Sequence, residues 1–127
     1  MQQSSPSQLT RYVVRAGDVE AKTFDWGHIT WLDNAELTGS ETLTVGIVVI
    51  EPGKSNPEHY HPNCDETLLL LEGELVHTVG DESYTLAAGD LIHIPAGVRH
   101  RATNTGNAPA KMVVSYNTGR RGFVSVS

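Results

Sequence analysis

Glycine interrupts this sequence at short and regular intervals, and this spacing constrains the fold more than any other feature. Most intervals are seven to nine residues long, and the glycines that define them are Gly39, Gly46, Gly53, Gly73, Gly80, Gly89, Gly97 and Gly106. Intervals of this length suit single strands bounded by turns. No apolar face with helical periodicity extends over ten residues, and only 33–37 suggests one helical turn. The spacing therefore predicts an all-β fold.

The segments between these glycines have the composition of strands. Runs rich in Val, Ile, Leu and Thr occupy 42–51, 66–71, 74–79, 91–94 and 111–116, and weaker candidates lie at 23–30 and 121–126. The pair Gly80 and Asp81, between two such runs, predicts a tight hairpin. Many short strands at regular spacing indicate a β-sandwich or β-barrel.

Length and composition narrow the class of protein further. The chain has 127 residues and one cysteine, Cys64, so we expect a single domain without an intrachain disulfide. The formal charge of −6 argues against nucleic acids and anionic membranes as partners. No apolar run approaches the ~20 residues of a membrane span, and the first ten residues lack the features of a signal peptide. A cytoplasmic location is therefore expected.

The ends of the chain differ from its middle. The first ten residues are small and polar, so we predict that residues 1–12 form a flexible tail. Residues 13–127 then form the one barrel domain, with its core at about 42–116.

Four potential metal ligands lie in the middle of the sequence. His59 and His61 are two residues apart, and alternate side chains of a strand share one face. Glu66 follows after a turn, and His100 follows the turn at 95–97, so both could join from neighbouring strands. Three imidazoles and a carboxylate suit a divalent transition metal: Zn, Mn, Fe, Ni, Co or Cu. A lone histidine in a strand is more often a surface or hydrogen-bonded core residue. The metal hypothesis therefore depends on the four residues together and on their spacing.

The same residues fit a known sequence pattern. The first part reads Gly53, five residues, His59-x-His61, four residues, Glu66, six residues and Gly73. The second reads Gly89, five residues, Pro95-x-Gly97, two residues, His100, three residues and Asn104. This order resembles both signature motifs of the cupin superfamily, with every fixed position filled. The 15 residues between the motifs resemble the short form of single-domain bacterial cupins.

The resemblance carries several expectations with it. It implies a double-stranded β-helix, also called a jelly-roll barrel. It implies that His59, His61, Glu66 and His100 hold the metal, and that the protein is a homodimer.

Other residues are weaker candidates for the site. His77 and His93 lie in predicted strands, where each either faces the cavity as a proton shuttle or faces outward. Tyr116 is a candidate hydrogen-bond donor to a substrate, with packing as the alternative. Arg99 and Arg101 flank His100 and are expected to face away from it.

The remaining candidates are interpreted as structural. Cys64 is expected to be a loop thiol rather than a ligand. Leu68 and Leu70 share the parity of Glu66 and are expected to line the cavity as apolar walls. Trp26 and Trp31 are expected in a barrel lid or an interface rather than beneath a substrate.

These observations lead to a functional hypothesis with two alternatives. A metal with open positions in an apolar barrel suits an enzyme that acts on a small oxygenated metabolite, such as a sugar acid, keto acid or polyketide-like molecule. The reaction would be an isomerisation, tautomerisation, lyase or cyclase reaction. The alternatives are an Fe(II) cupin dioxygenase and a small-molecule sensor without turnover.

Overall fold

The computed structural model describes residues 12–126, and these residues are almost entirely β-structure. One 3-10 turn (Ala16–Asp18) and one short helix, α1 (Ala35–Thr38), accompany the strands. In chain order the strands are β1 (Lys22–Phe24), β2 (Gly27–Asp33), β3 (Thr44–Ile50), β4 (His59–Tyr60), β5 (Glu66–Glu72), β6 (Glu74–Val79), β7 (Glu82–Ala87), β8 (Leu91–Ile94), β9 (His100–Thr103), β10 (Ala110–Tyr116) and β11 (Val124–Ser125).

The strands form two antiparallel sheets that face each other. The larger sheet has the order β1-β2-β3-β10-β5-β8, and the smaller has the order β11-β4-β9-β6-β7. Neighbours in the sheets are mostly far apart in sequence, as in β10 between β3 and β5. This crossing of the chain between two sheets is the jelly-roll arrangement, and the all-β prediction is confirmed.

Strict alternation of side chains builds the interior of the barrel. In β3 and β10 every second residue is buried, including Val48 and Ile50 on one strand and Met112 and Val114 on the other. Burying each aliphatic side chain of this size stabilises the fold by roughly 1.5–3 kcal/mol. The larger sheet thus presents an apolar face to the barrel lumen.

Most predicted strands occur within a residue or two of their predicted ends. The hairpin at Gly80 and Asp81 is present, because β6 and β7 pair from Val79 and Glu82 outward. The weaker candidates differ more. Segment 23–30 is two strands, β1 and β2, that pair as a hairpin across the turn at Asp25 and Trp26. Segment 121–126 contains only the two-residue β11.

The ends of the domain remain predictions. Residues 1–11, which include most of the predicted tail 1–12, lie outside the described residues, as does Ser127. Within 12–126, no helix is long and apolar enough to cross a membrane.

Candidate metal centre

The four proposed ligands come from both sheets and meet inside the barrel. His59 in β4 is directly opposite His100 in β9, and His61 immediately follows the end of β4 at Tyr60. Glu66 is the first residue of β5 in the other sheet. All four side chains are buried, and one ligand atom from each lies within 4.8 Å of the others. The structure therefore brings together all four residues that the sequence singled out.

Backbone carbonyls orient the three imidazole rings. The Nδ1 atoms of His59, His61 and His100 lie 2.7, 2.8 and 2.9 Å from the carbonyl oxygens of Pro57, Gly122 and Val98, respectively. A carbonyl oxygen only accepts hydrogen bonds, so each Nδ1 carries the proton that it donates. A ring that carries only this proton presents Nε2 as a lone-pair donor to the centre of the group, which is the tautomer that a metal ligand needs.

Glu66 places a negative charge beside these nitrogens. Its Oε1 atom lies 3.1 Å from Nε2 of His61 and 3.0 Å from Nε2 of His100. Burial raises the pKa of Glu66, but hydrogen bonds with His100 and His61 outweigh it and lower the pKa to about 2. The His61 and His100 rings each carry a proton on Nδ1 already. Each short contact between Nε2 and Oε1 of Glu66 therefore requires either a second proton, on Nε2, or a cation between the two atoms. A divalent transition metal fits this set of donors, because it could replace both protons.

His59 has the protonation state of a ligand. Burial disfavours its charged form, and neighbouring His100 has the same effect, so its pKa falls to about 4. The ring is thus neutral at pH 7 and its Nε2 is available for coordination.

A cavity of about 520 Å³ is lined by three of these four residues, His59, Glu66 and His100. Its walls are mainly apolar and include Trp26, Ile29, Val48, Leu68, Met112 and Val114. The volume lies in the range of small-molecule binding sites. The expectation for Leu68 agrees with this position, whereas Leu70 is fully buried in the core and does not line the cavity.

Two of the three candidate catalytic residues line this cavity. His77 is buried and stacks on His100, with ring centroids 5.7 Å apart, and its Nδ1 atom has no hydrogen-bond partner. Burial lowers the pKa of His77 to about 4. Tyr116 contacts His61, with ring centroids 4.9 Å apart. Burial, followed by the negative charge of Glu66, raises the pKa of Tyr116 well above its ordinary value.

His93 lies outside the cavity. It pairs with Thr67 across β5 and β8, whereas Glu66 pairs with the buried Ile94, so His93 faces away from the site. Its side chain is 58% exposed, and its Nε2 lies 3.5 Å from Oδ2 of Asp65. Strand register, which the sequence left open, separates His93 from His77.

The structure also places the residues that flank the ligands in the sequence. Arg99 and Arg101 are exposed, in agreement with their expected outward direction. Cys64 lies in the loop between β4 and β5, as expected, but its side chain is buried in the core, and burial raises the pKa of its thiol. It is not part of the ligand group.

The aromatic wall of the cavity was not predicted from the sequence. Trp26 and Trp31, expected in a lid or an interface, line the cavity because β1 and β2 extend the larger sheet over it. Gly46 on β3 makes room for the Trp31 ring, since an added Cβ would lie 2.6 Å from the ring. Phe123 stacks on His59, with ring centroids 4.8 Å apart.

Arg121 was also missed. Its guanidinium carbon lies 4.6 Å from the centroid of Trp31, 5.2 Å from that of Tyr116 and 5.5 Å from that of Phe123. No periodicity marks the segment that carries Arg121 and Phe123, so no pattern in the sequence could have placed them.

Comparisons with known proteins identify the family to which this fold belongs. The family model described as "Cupin domain" matches residues 46–116, which is more than half of the chain. Germin-like protein 3-5 of Oryza sativa subsp. japonica is 36% identical over 124 residues, covering 90% of this chain and 54% of the relative. Tetracenomycin polyketide synthase protein TcmJ of Streptomyces glaucescens is 40% identical over 75 residues, covering 59% of this chain and 50% of the relative.

A solved structure of an oxalate oxidase has the same fold. It is 32% identical, with a TM-score of 0.74, and the match covers 82% of this chain and 57% of that structure. The chain spans about half the length of the curated relatives that it matches. The motifs, the two-sheet barrel and the matched family model agree, and the chain belongs to the cupin family.

Proposed function

We propose that this protein is a metal-dependent cupin enzyme that acts on a small oxygenated metabolite. His59, His61, Glu66 and His100 hold a divalent transition metal, and the cavity beside them binds the substrate. The substrate is a sugar acid, a keto acid or a polyketide-like molecule. The reaction is an isomerisation, tautomerisation, elimination or cyclisation. The similarity to a polyketide synthase protein supports the polyketide-like class.

One observation carries the metal proposal. Three buried rings are held by carbonyl oxygens at Nδ1, and two of their Nε2 atoms lie 3.0–3.1 Å from one carboxylate oxygen. A group built only for stability would not need three buried rings aimed at a common point beside a charged carboxylate. A cation at that point balances the carboxylate and completes the coordination of the nitrogens.

The residues beside the ligands are suited to moving protons. His77 lines the cavity and is neutral at pH 7, because its pKa is about 4, so its imidazole can accept a proton there. Tyr116 keeps its proton at pH 7, and its single O–H donor can go to Glu66 or, when a substrate is bound, to a substrate oxygen. A proton acceptor and a proton donor on one cavity are what a keto–enol tautomerisation requires. When bound, the metal would polarise a carbonyl or enol oxygen as a Lewis acid.

The metal proposal is tested with two histidine variants. Elemental analysis of purified His59→Ala should find no bound metal, because one of the four ligands is lost. The matched control is His93→Ala, which removes an exposed imidazole from the outer face of β8 and should keep the metal content of the unaltered protein. Equal metal content in all three proteins would contradict the proposal.

The reaction is tested with the metal-loaded protein and a panel of sugar acids, keto acids and aromatic polyketide analogues. Product formation without oxygen uptake supports the proposed class. Oxygen uptake with an iron-loaded protein would instead support a dioxygenase, an alternative consistent with the similarity to an oxalate oxidase. Tight binding without product would identify a sensor.

Assembly and location are further parts of the proposal. We place the protein in the cytoplasm as a homodimer that binds neither nucleic acid nor membrane. Light scattering tests the dimer, and a monomer mass would refute it.

A further inference from the structure

Arg121 lies in the cavity without a charged partner. Its guanidinium group is half-buried over the rings of Trp31, Tyr116 and Phe123. Among residues 12–126, no carboxylate forms an ion pair with it, whereas neighbouring Arg120 pairs with Glu41 at 2.9 Å on the surface. Contact with aromatic faces stabilises a cation, but it leaves the N–H groups, which lie in the plane of the guanidinium, free to donate hydrogen bonds. Arg121 therefore has donors available for an anion.

The position of Arg121 is set by the backbone next to the ligands. The side chain of Asn63 accepts a hydrogen bond from the N–H of Gly122 and donates one to the carbonyl of Arg120. The carbonyl of Gly122 in turn accepts the hydrogen bond from Nδ1 of His61. The residue that orients one ligand ring is thus the immediate neighbour of Arg121.

Two aromatic rings lie close to both Arg121 and the ligand group. The centroid of the Tyr116 ring lies 5.2 Å from the guanidinium carbon and 4.9 Å from the centroid of the His61 ring. The centroid of the Phe123 ring lies 5.5 Å from the guanidinium carbon and 4.8 Å from the centroid of the His59 ring. Lys22 adds a second cation to the lining, and Glu66, a proposed metal ligand, is the one carboxylate among the described lining residues. The lining apart from the ligand group is therefore positively charged, in a protein whose formal charge is −6.

We propose that Arg121 is the anchor for a substrate carboxylate, and that the substrate has an aromatic or otherwise apolar body. The guanidinium fork matches two carboxylate oxygens. The apolar walls between Arg121 and the ligand group accept the body, and the oxygenated end reaches the metal centre. This inference rests on the proposed function for the role of the metal, whereas the anchor itself depends only on the chain.

The test compares carboxylates with neutral isosteres. Calorimetry measures the affinities of benzoate and 2-naphthoate, each beside its amide, for the metal-loaded protein and for chelator-treated protein. We expect each carboxylate to bind at least about tenfold more tightly than its amide in both forms of the protein, as for other hydrogen bonds between charged groups. Oxalate, which has no apolar body, should bind more weakly than 2-naphthoate to the chelator-treated protein.

Two adjacent arginines provide the matched variants. Arg121→Gln should abolish the preference for the carboxylate and leave the affinity for the amide unchanged. Arg120→Gln makes the same change in net charge outside the cavity and should keep the preference. Arg121→Lys, which retains a cation over the rings, should keep part of it. A structural role for Arg121 would instead weaken the carboxylate and the amide equally.

The outcomes separate this inference from the metal proposal. If the protein binds no metal but the preference depends on Arg121, the anchor stands and the metal proposal fails. If metal binds but neither carboxylate exceeds its amide, or if Arg121→Gln and Arg120→Gln behave alike, the anchor is refuted. Tighter binding of oxalate than of 2-naphthoate in the chelator-treated protein would refute the apolar body.

Discussion

The cavity has two differently built regions, the ligand group and the neighbouring arginine with its aromatic rings. Strand register and backbone carbonyls hold the ligand rings, as in the pairing of His59 with His100. Arg121 and Phe123 instead lie in an irregular segment, held through Asn63 and through ring contacts. The rigid region suits chemistry that recurs across a family. The irregular region suits specificity, because its side chains can change without altering a sheet.

The largest expected effect concerns the rigid region. Replacing Glu66 by Gln removes the negative charge from the ligand group and leaves its shape almost unchanged. We expect the affinity for the metal to fall by more than the roughly 10–100-fold typical of changes beyond the direct ligands. Metal titration of the variant measures this loss.

The matched control for Glu66→Gln is Glu72→Gln. Glu72 lies at the exposed end of the same strand, β5, so this variant makes the same chemical change away from the ligands. Its metal affinity should remain that of the unaltered protein. Equal affinities of the two variants would mean that Glu66 is not a ligand.

The two regions also differ in how far the sequence predicts them. Alternation along a strand grouped His59 with His61, because regular strands repeat every two residues, and the resemblance to the cupin motifs implied Glu66 and His100 as the other two ligands. His77 and His93 could not be distinguished, because a one-residue change of register reverses the face of a strand. Arg121 lies in a segment without periodicity, so its contacts depend on the tertiary fold alone.

A second prediction concerns the wall between the two regions. Gly46→Ala would place a Cβ 2.6 Å from the Trp31 ring, so the ring would have to move away from β3. We expect a loss of roughly 1–3 kcal/mol in the free energy of unfolding, as for other overpacked interiors. Chemical denaturation measures the loss, and tryptophan fluorescence should shift, since Trp31 is one of only two tryptophans.

The control for Gly46→Ala is Gly17→Ala, where an added Cβ meets no atom within 4 Å. This variant should retain both the stability and the fluorescence of the unaltered protein. An unchanged spectrum for Gly46→Ala would show that the Trp31 ring does not lie against β3.

The smallest effect on stability is expected for Asn63, whose side chain holds the backbone on both sides of Arg121. Asn63→Ala removes two hydrogen bonds to the backbone around Arg121, at 2.7 and 2.9 Å, but none of the ligands. Asn63 is exposed, and water can replace part of these bonds, so the loss in the free energy of unfolding should be only about 1 kcal/mol. The preference of the protein for 2-naphthoate over its amide should fall severalfold, because Arg121 is no longer held over the rings.

The metal content of Asn63→Ala shows whether the ligand group and the region around Arg121 are independent or form one cooperative unit. We expect normal metal content, since carbonyls and β-pairing still orient His59 and His100. The control Asn107→Ala, at an exposed loop position, should change neither quantity. If Asn63→Ala lost metal and carboxylate preference together, the segment after β10 would be part of the ligand scaffold, and the division of the cavity into a rigid and an adaptable region would be wrong.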